Sequence, residues 1–293
     1  MGFFKSLKFY TKTVLAATIL GGCALYGVLA SIALTLVGKR HLAQWTTARV
    51  FYYTFSSLLG IRIKLINGER LDKLPAILIS NHQSALDILI LGRIFPKGCV
   101  VTSKKSLKYV PFLGWFMALS GTFFLDRSNR EKSVKTLNKA LANLKEKKRG
   151  LFIFPEGTRS YCKTPEMLPF KKGAFHLAQQ AEIPVIPLIV SVTSPLLDAS
   201  TKSFECGEIT IKVLEPISTK DLKKEDVGAF SAKIRETMLE ELKTIGLSTI
   251  DGQTPESYET FPNETDEFTT DDPEVTVERT SLLSKSSETQ RSS

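Results

Sequence analysis

Cysteine is scarce here, and its spacing excludes two common frameworks. The 293 residues hold 4 Cys, at Cys23, Cys99, Cys162 and Cys206, with no CxxC and no close pair. Neither a disulfide scaffold nor a zinc ribbon is expected. Histidine is scarcer still, with 3 in all, at His41, His82 and His176. That argues against a multi-histidine metal centre, and no metal is expected. No Gly-x-Ser-x-Gly elbow occurs, so an acyl-serine intermediate lacks its usual support. There is no Walker A loop, no dinucleotide fingerprint and no internal repeat. With no RNP-type aromatic box and no recognition-helix signature, nucleic acid is not expected as a partner either.

What is present in excess is positive charge, unevenly placed. The net charge is +9, yet the segment from Asp251 onward carries 11 acidic and only 3 basic residues, leaving 36 basic against 19 acidic in the first 250. A basic body invites a membrane surface or a phosphorylated small molecule. It also predicts attraction to anionic lipid that weakens with salt. The acidic end, residues 248–293, is rich in Ser, Thr, Glu, Asp and Pro. It is too poor in apolar residues to offset its ordering entropy, so a disordered tail is expected there. Its Asn263-Glu264-Thr265 sequon matters only if the tail is lumenal.

The N-terminus favours the membrane. Lys5, Lys8 and Lys12 precede residues 14–37, which hold no charge. At ~1.5 Å per residue that run reaches ~36 Å, enough to cross a bilayer core of ~30 Å. It is longer than the ~7–15-residue core of a signal peptide, so residues 1–40 are expected to form a retained membrane anchor helix. Residues 41–60 add Trp45 and an aromatic-rich run between Arg49 and Arg62. They are read as an interfacial amphipathic helix, the rival being a helix packed on the domain that follows.

From 61 to 247 strand-like and helix-like segments alternate. Strands are expected at 61–66, 76–80, 98–102, 122–125, 151–154, 185–192 and 209–214. Helices are expected after Ser84 and over 128–148, 173–181 and 225–242. Residues 103–120 are broken by Pro111 and Gly114 into two short pieces. This order predicts an α/β domain, a central mixed sheet flanked by helices and preceded by the N-terminal anchoring helix.

The chemistry concentrates at strand ends. Residues 75–79 lead into Ser80-Asn81-His82-Gln83-Ser84, with Asp87 behind. Five residues apart on one helix, His82 and Asp87 would stand about 140° apart. They can meet only if His82 precedes the helix and Asp87 reaches back from its first turn. The carboxylate would then fix the tautomer and leave the other imidazole nitrogen free to take a proton. The plainer reading is a hydrogen bond that pins a loop.

Phe154-Pro155-Glu156-Gly157-Thr158-Arg159 ends another strand. Arg159, the Thr158 hydroxyl and the Gly157 backbone suit a phosphate monoester. Glu156 is expected to orient Arg159 or a substrate hydroxyl. Arg127 ends a further strand and is able to share the anion. Lys104, Lys171 and Lys172 are candidates for steering a phosphate or a nucleotide tail, the two latter just ahead of a helix N-terminus. Ile183-Pro184-Val185-Ile186-Pro187 is apolar, and its prolines suggest an edge strand or a strand start.

Taken together, Asn81-His82-x4-Asp87, Gly121-x2-Phe124-x2-Arg127, Phe154-Pro155-Glu156-Gly157-Thr158-Arg159 and Ile183-Pro184-x2-Pro187 resemble the four ordered motif blocks of the glycerophospholipid acyltransferase family. The nearest likeness is to its fungal 1-acyl-sn-glycerol-3-phosphate, or lysophosphatidate, acyltransferases. The resemblance covers about residues 40–245. It implies that His82 is the general base on a glycerol hydroxyl and that Asp87 orients it. It implies that Arg127 and residues Glu156, Gly157, Thr158 and Arg159 hold the acceptor's phosphate. It implies that Pro184 and Pro187 help shape the acyl or acceptor pocket. Acyl-CoA would be a co-substrate, with no bound cofactor. The expected setting is the endoplasmic-reticulum membrane, with lipid droplets as a secondary site. Acylation of another lysophospholipid, and a non-catalytic lipid-binding protein, are the alternatives. The second would be marked by loss of His82, Asp87 or Arg159, all of which are present.

Overall fold

A computed structural model of the protein describes residues 2–125 and 146–253. Its centre is an eight-stranded mixed sheet, with the strands numbered in chain order. These are β1 (Ile61–Ile66), β2 (Ala76–Ser80), β3 (Val100–Lys104), β4 (Phe123–Leu125), β5 (Gly150–Ile153), β6 (Val185–Val190), β9 (Gly207–Val213) and β10 (Thr249–Ile250). The spatial order is β1-β9-β6-β2-β5-β3-β4, with β10 on β9. A separate hairpin pairs β7 (Leu197–Asp198) with β8 (Ser203–Phe204). From β6 through β2, β5 and β3 to β4 every pairing is parallel. Those strands therefore send all their carboxyl ends to one edge. Among the described residues of this sheet, only β6–β9 and β10–β9 run antiparallel.

Both faces of the sheet are covered, which explains why the central strands read as unbroken apolar runs rather than alternating ones. Successive side chains of β2 go to opposite faces, as the pleat requires. Leu78 joins Phe152, Ile186 and Leu188 under helices α2 (Ala43–Leu59) and α3 (Asp87–Ile94). Ile77 and Ile79 join Leu151, Val185 and Ile189 under α5 (Gly173–Ala181) and α6 (Val227–Ile245). Each fully buried Leu, Ile or Phe here contributes about 1.5–3 kcal/mol.

The N-terminal helix α1 (Gly2–Leu36) is longer than the uncharged run. It is not a free-standing rod. Ile19, Cys23 and Ala24 are buried, and Gly27 lies so close to Phe116 of α4 (Leu113–Ser120) that a Cβ would come within 2.6 Å of its ring. Lys8 pairs with Glu205 at 2.5 Å. Helix α2 is fixed to the domain by Phe51, Phe55 and Leu59, all buried. Between the two readings of 41–60, packing on the domain is what the structure shows. Tyr53 and Leu58 remain exposed.

Two other expectations need correction. Ordered structure does not stop at residue 248. Ser248 is buried, β10 pairs with β9, and Asp251 binds Arg62 at 2.6 Å. Strand β6 is central, not an edge, and Pro187 sits inside it. The Leu188–Val213 ladder gives way to a bridge at Val185–Ile217, while Leu214 N–H still reaches the Pro187 carbonyl. Pro187 thus lacks its N–H where Glu215 and Pro216 leave the ladder. Most of the helix expected at 128–148, and the tail from 254, lie outside the described residues.

Candidate active site

The loop after β2 is fastened residue by residue to β6. The Asn81 amide donates to the Val190 carbonyl and accepts the Val190 N–H, both at 2.9 Å. The Gln83 amide donates to Val190 and Ser191 carbonyls and accepts the Thr193 N–H at 2.9 Å. Asn81 and Gln83 are buried, and His82 stands between them. Ser84 does not cap α3. Its hydroxyl accepts the Leu86 N–H at 3.2 Å and pairs with Thr193 at 3.0 Å, one turn ahead of the helix. Nothing in the motif pattern flagged these three polar side chains as the loop's framework. Their buried amide and hydroxyl groups demand partners, and that was the available signal.

Asp87 opens α3 and reaches back. Its Oδ2 lies 2.6 Å from His82 Nδ1 and also accepts the Gln83 and Ser84 N–H groups at 2.9 and 3.1 Å. The carboxylate is an acceptor, so Nδ1 carries the proton and Nε2 presents a lone pair. Asp87 is buried and His82 is mostly so, with side chains 3% and 15% exposed. Phe154 stacks on the imidazole, with ring centroids 4.0 Å apart and planes at 17°. That ring fixes the last torsion of the histidine and shields one of its faces.

β5 lies beside β2, so the Phe154–Ser160 turn falls next to His82. The two segments share backbone bonds: Ser160 N–H to His82 carbonyl at 2.9 Å, and Tyr161 N–H to Gln83 carbonyl at 3.1 Å. Glu156 completes this junction. Its Oε1 accepts the His82 N–H at 2.7 Å and its Oε2 accepts the Leu168 N–H at 3.0 Å. It is only 2% exposed. Burial pushes its pKa up to about 7, against the pull of those two backbone donors, with Asp87 adding repulsion and Arg235 opposing it. The expectation that Glu156 orients Arg159 or a substrate hydroxyl is therefore corrected. Its carboxyl is committed to backbone, and it holds the histidine loop.

The remaining candidates divide. Arg159 is half-buried, and no hydrogen bond or ion pair joins it to another described residue. Gly157 has φ +77, and the side chain of Lys171 lies 2.9 Å from where a Cβ would stand. Lys171 N–H also binds the Pro155 carbonyl at 2.7 Å. The turn and Lys171 are thus one unit beside Arg159 and Thr158. Lys172 turns away, its ammonium lying against Gly228 in the first turn of α6. Lys104 ends β3 at the same edge, in register with Leu125. Arg127 lies outside the described residues.

Pro184 and Pro187 are not brought to this edge. Pro184 meets Ile77 at the amino end of β2, and Pro187 is opposite Ile79 within the sheet. At ~3.3 Å per residue, Pro184 is roughly 15 Å short of His82. Among the described residues no three His, Cys, Asp or Glu side chains gather into a metal-ligand set.

A histidine bonded to a buried carboxylate, beside a cationic turn at one carboxyl edge, stands where open α/β sheets place their ligand sites. A protein-family model described as "Acyltransferase" matches residues 62–191. A 1-acyl-sn-glycerol-3-phosphate acyltransferase of Saccharomyces cerevisiae is 57% identical over 82% of this chain and 79% of its own length. The human beta 1-acyl-sn-glycerol-3-phosphate acyltransferase is 32% identical over 77% of this chain and 80% of its own. The crystal structure of PlsC, a 1-acyl-sn-glycerophosphate acyltransferase of Thermotoga maritima, shares the fold with a TM-score of 0.63 over 83% of this chain and 96% of its own, at 24% identity. The chain belongs to the glycerophospholipid acyltransferase family and is an O-acyltransferase.

Proposed function

We propose that this protein transfers a fatty acyl group from acyl-CoA to the sn-2 hydroxyl of 1-acyl-sn-glycerol 3-phosphate, forming phosphatidate. The observation that carries this reading is the His82–Asp87 contact beside a cationic turn at the same sheet edge. His82 Nε2 takes the hydroxyl proton. The oxygen attacks the thioester carbonyl, the carbon–sulfur bond breaks, and the coenzyme A thiolate recovers the proton from His82. Asp87 stabilises the imidazolium that forms between these steps. Arg159, Thr158, the Gly157 backbone and Lys171 supply donors for the phosphate. Proton transfer of this type contributes about 10²–10⁴-fold, so much of the remainder comes from positioning by that clamp. The yeast relative's name, 1-acyl-sn-glycerol-3-phosphate acyltransferase, supports the acceptor.

The setting we infer is a membrane surface, with the endoplasmic reticulum as the proposed location. Helix α1 is long and apolar enough to cross a bilayer. It is nevertheless held to the domain near both ends, by Lys8–Glu205 and, just beyond its last residue, by Arg40 donating to the Leu119 carbonyl at 2.6 Å. A helix so fastened supports lying along one leaflet with the domain, in place of the crossing expected from length alone.

The test is acyl transfer by purified wild type and H82A over a panel of lysophospholipids and acyl-CoA donors. Loss of phosphatidate formation in H82A at equal protein level is expected. Wild-type-like transfer by H82A, or negligible phosphatidate beside a diester acceptor's product, would overturn the assignment.

A further inference from the structure

The stretch between β3 and β4 departs from what the fold needs. Lys105–Tyr109 forms a short 3-10 turn and α4 follows. One side of α4 is used: Gly114, Met117 and Ser120 are buried. Gln44 of α2 donates to the Ser120 hydroxyl at 3.3 Å, and Phe116 meets Gly27 of α1. Trp115 and Leu119 on the other side of α4, and Leu107, Tyr109, Val110 and Phe112 in the segment before it, stand in the open, with Tyr109 75% and Trp115 56% exposed. Isolated exposed apolar residues are ordinary, but six within thirteen positions form a patch that a water-facing surface rarely keeps.

The backbone presents this patch at a cost. Phe112 has φ +59 and ψ −54, and Leu113 N–H bonds to the Pro111 carbonyl at 2.6 Å. That is a γ-turn of the rare, strained hand, centred on a bulky residue. Gly114 permits it by letting the turn fold back on itself, since a Cβ there would fall 2.1 Å from the Lys108 carbonyl oxygen. The Phe112 ring stands edge-on to Trp115 at 5.3 Å. Two aromatics on a rigid knuckle, with Tyr109 beside them and Lys108 exposed at its base, match the composition that sits at lipid headgroups.

We propose that the 105–119 knuckle is a second lipid contact, separate in sequence from the N-terminal helix, which buries Tyr109, Phe112 and Trp115 in the headgroup and upper acyl region of an anionic bilayer. The occupant follows from the charge and aromatic chemistry of the knuckle and from the helix that supports it. α4 packs on α1, the helix long and apolar enough for a bilayer. Lys105 and Lys108 are exposed beside the aromatics, a pairing that suits anionic headgroups. The knuckle also grows directly from the carboxyl end of β3, a neighbour of β5, whose end carries Glu156–Arg159. Inserting it brings the mouth of the site to the plane where a lysolipid headgroup lies. This rests on the membrane reading above.

Trp115 is one of only 2 tryptophans, so the emission difference between wild type and W115F reports on it. Full-length protein is mixed with phosphatidylcholine–phosphatidylglycerol vesicles, plain or with brominated acyl chains, and floated. The expected result is that both proteins float, that the Trp115 component is blue-shifted, and that most of it is lost to bromine. Flotation with Trp115 still red-emitting and quenched by iodide overturns the knuckle contact while leaving the membrane reading intact. A blue-shifted component that bromine does not touch overturns it in favour of a second copy or a substrate chain covering the face. No flotation overturns both readings. As a further arm, Y109S/W115S should lower turnover on vesicle-borne lysolipid several-fold and leave turnover on detergent-dispersed substrate unchanged. Equal losses in both would place these side chains in the substrate groove and sink the proposal.

Discussion

Glu156→Gln isolates the junction between the histidine loop and the Phe154–Ser160 turn. The carboxyl accepts two backbone N–H groups, from His82 at 2.7 Å and from Leu168 at 3.0 Å. The amide can accept only one of them and turns an NH2 toward the other. One buried N–H is left unsatisfied, at about 1–3 kcal/mol. A pH signature accompanies this. Folding raises the Glu156 pKa from 4.5 to about 7, so the folded state holds the proton more tightly than the unfolded chain. The associated stability, on the order of 3 kcal/mol at ~1.4 kcal/mol per pKa unit, is full below pH ~4.5 and lost as pH rises through about 7. E156Q should therefore melt below wild type at about pH 5, and the gap should shrink or reverse near pH 8. In turnover, a loosened His82 should lower kcat by roughly 10–100-fold, since misplacement by about 1 Å costs that much. KM for lysophosphatidate should hold. Thermal melts across pH and steady-state kinetics on the same preparation measure both. A raised KM at unchanged kcat, or a melting gap independent of pH, would refute the bracket and return Glu156 to the substrate.

Asp87→Asn should cut kcat by about 10²–10⁴-fold without unfolding the protein, because an amide facing Nδ1 favours the wrong tautomer; a pH–rate profile together with the melting curve checks it. Arg159→Ala should raise KM for lysophosphatidate at least tenfold, about 1.4 kcal/mol, with KM for acyl-CoA nearly constant. Gly157→Ala combines a φ of +77 with a Cβ 2.9 Å from the Lys171 side chain. It should cost about 1–3 kcal/mol and weaken acceptor binding as Arg159→Ala does. Gly27→Leu drives a side chain into Phe116 and Thr47. It should separate α1 from α4 and destabilise by about 1–3 kcal/mol, read by melting and by faster proteolysis near residue 38.

Local pattern was not enough for the short strands β7, β8 and β10, but it was enough for the seven longer strands and most of the described helices, for the apolar N-terminal helix, and for the meeting of His82 with Asp87. Each of those follows from short-range geometry: strand period, helical period, and a spacing of five that works only across a helix start. The turn with Gly157 and Arg159 also stands where the sequence put it, just after β5, with Gly157 at φ +77. What it left undecided depends on non-local neighbours. Whether β6 is central or an edge is fixed by which strands flank it, and the departure of Glu215 and Pro216 from the ladder lets Pro187 stand inside. Glu156 and Arg159, three positions apart, look like partners on paper. Once β2 pairs with β5, burial carries the carboxyl inward to two backbone donors. Lys171 and Lys172 are adjacent in sequence and part company because one meets the Gly157 turn and the other meets α6. Hydropathy makes α1 apolar enough for a bilayer. Only packing shows it tied to the domain near both ends, since a transfer energy is a property of the residues and a contact is a property of the fold.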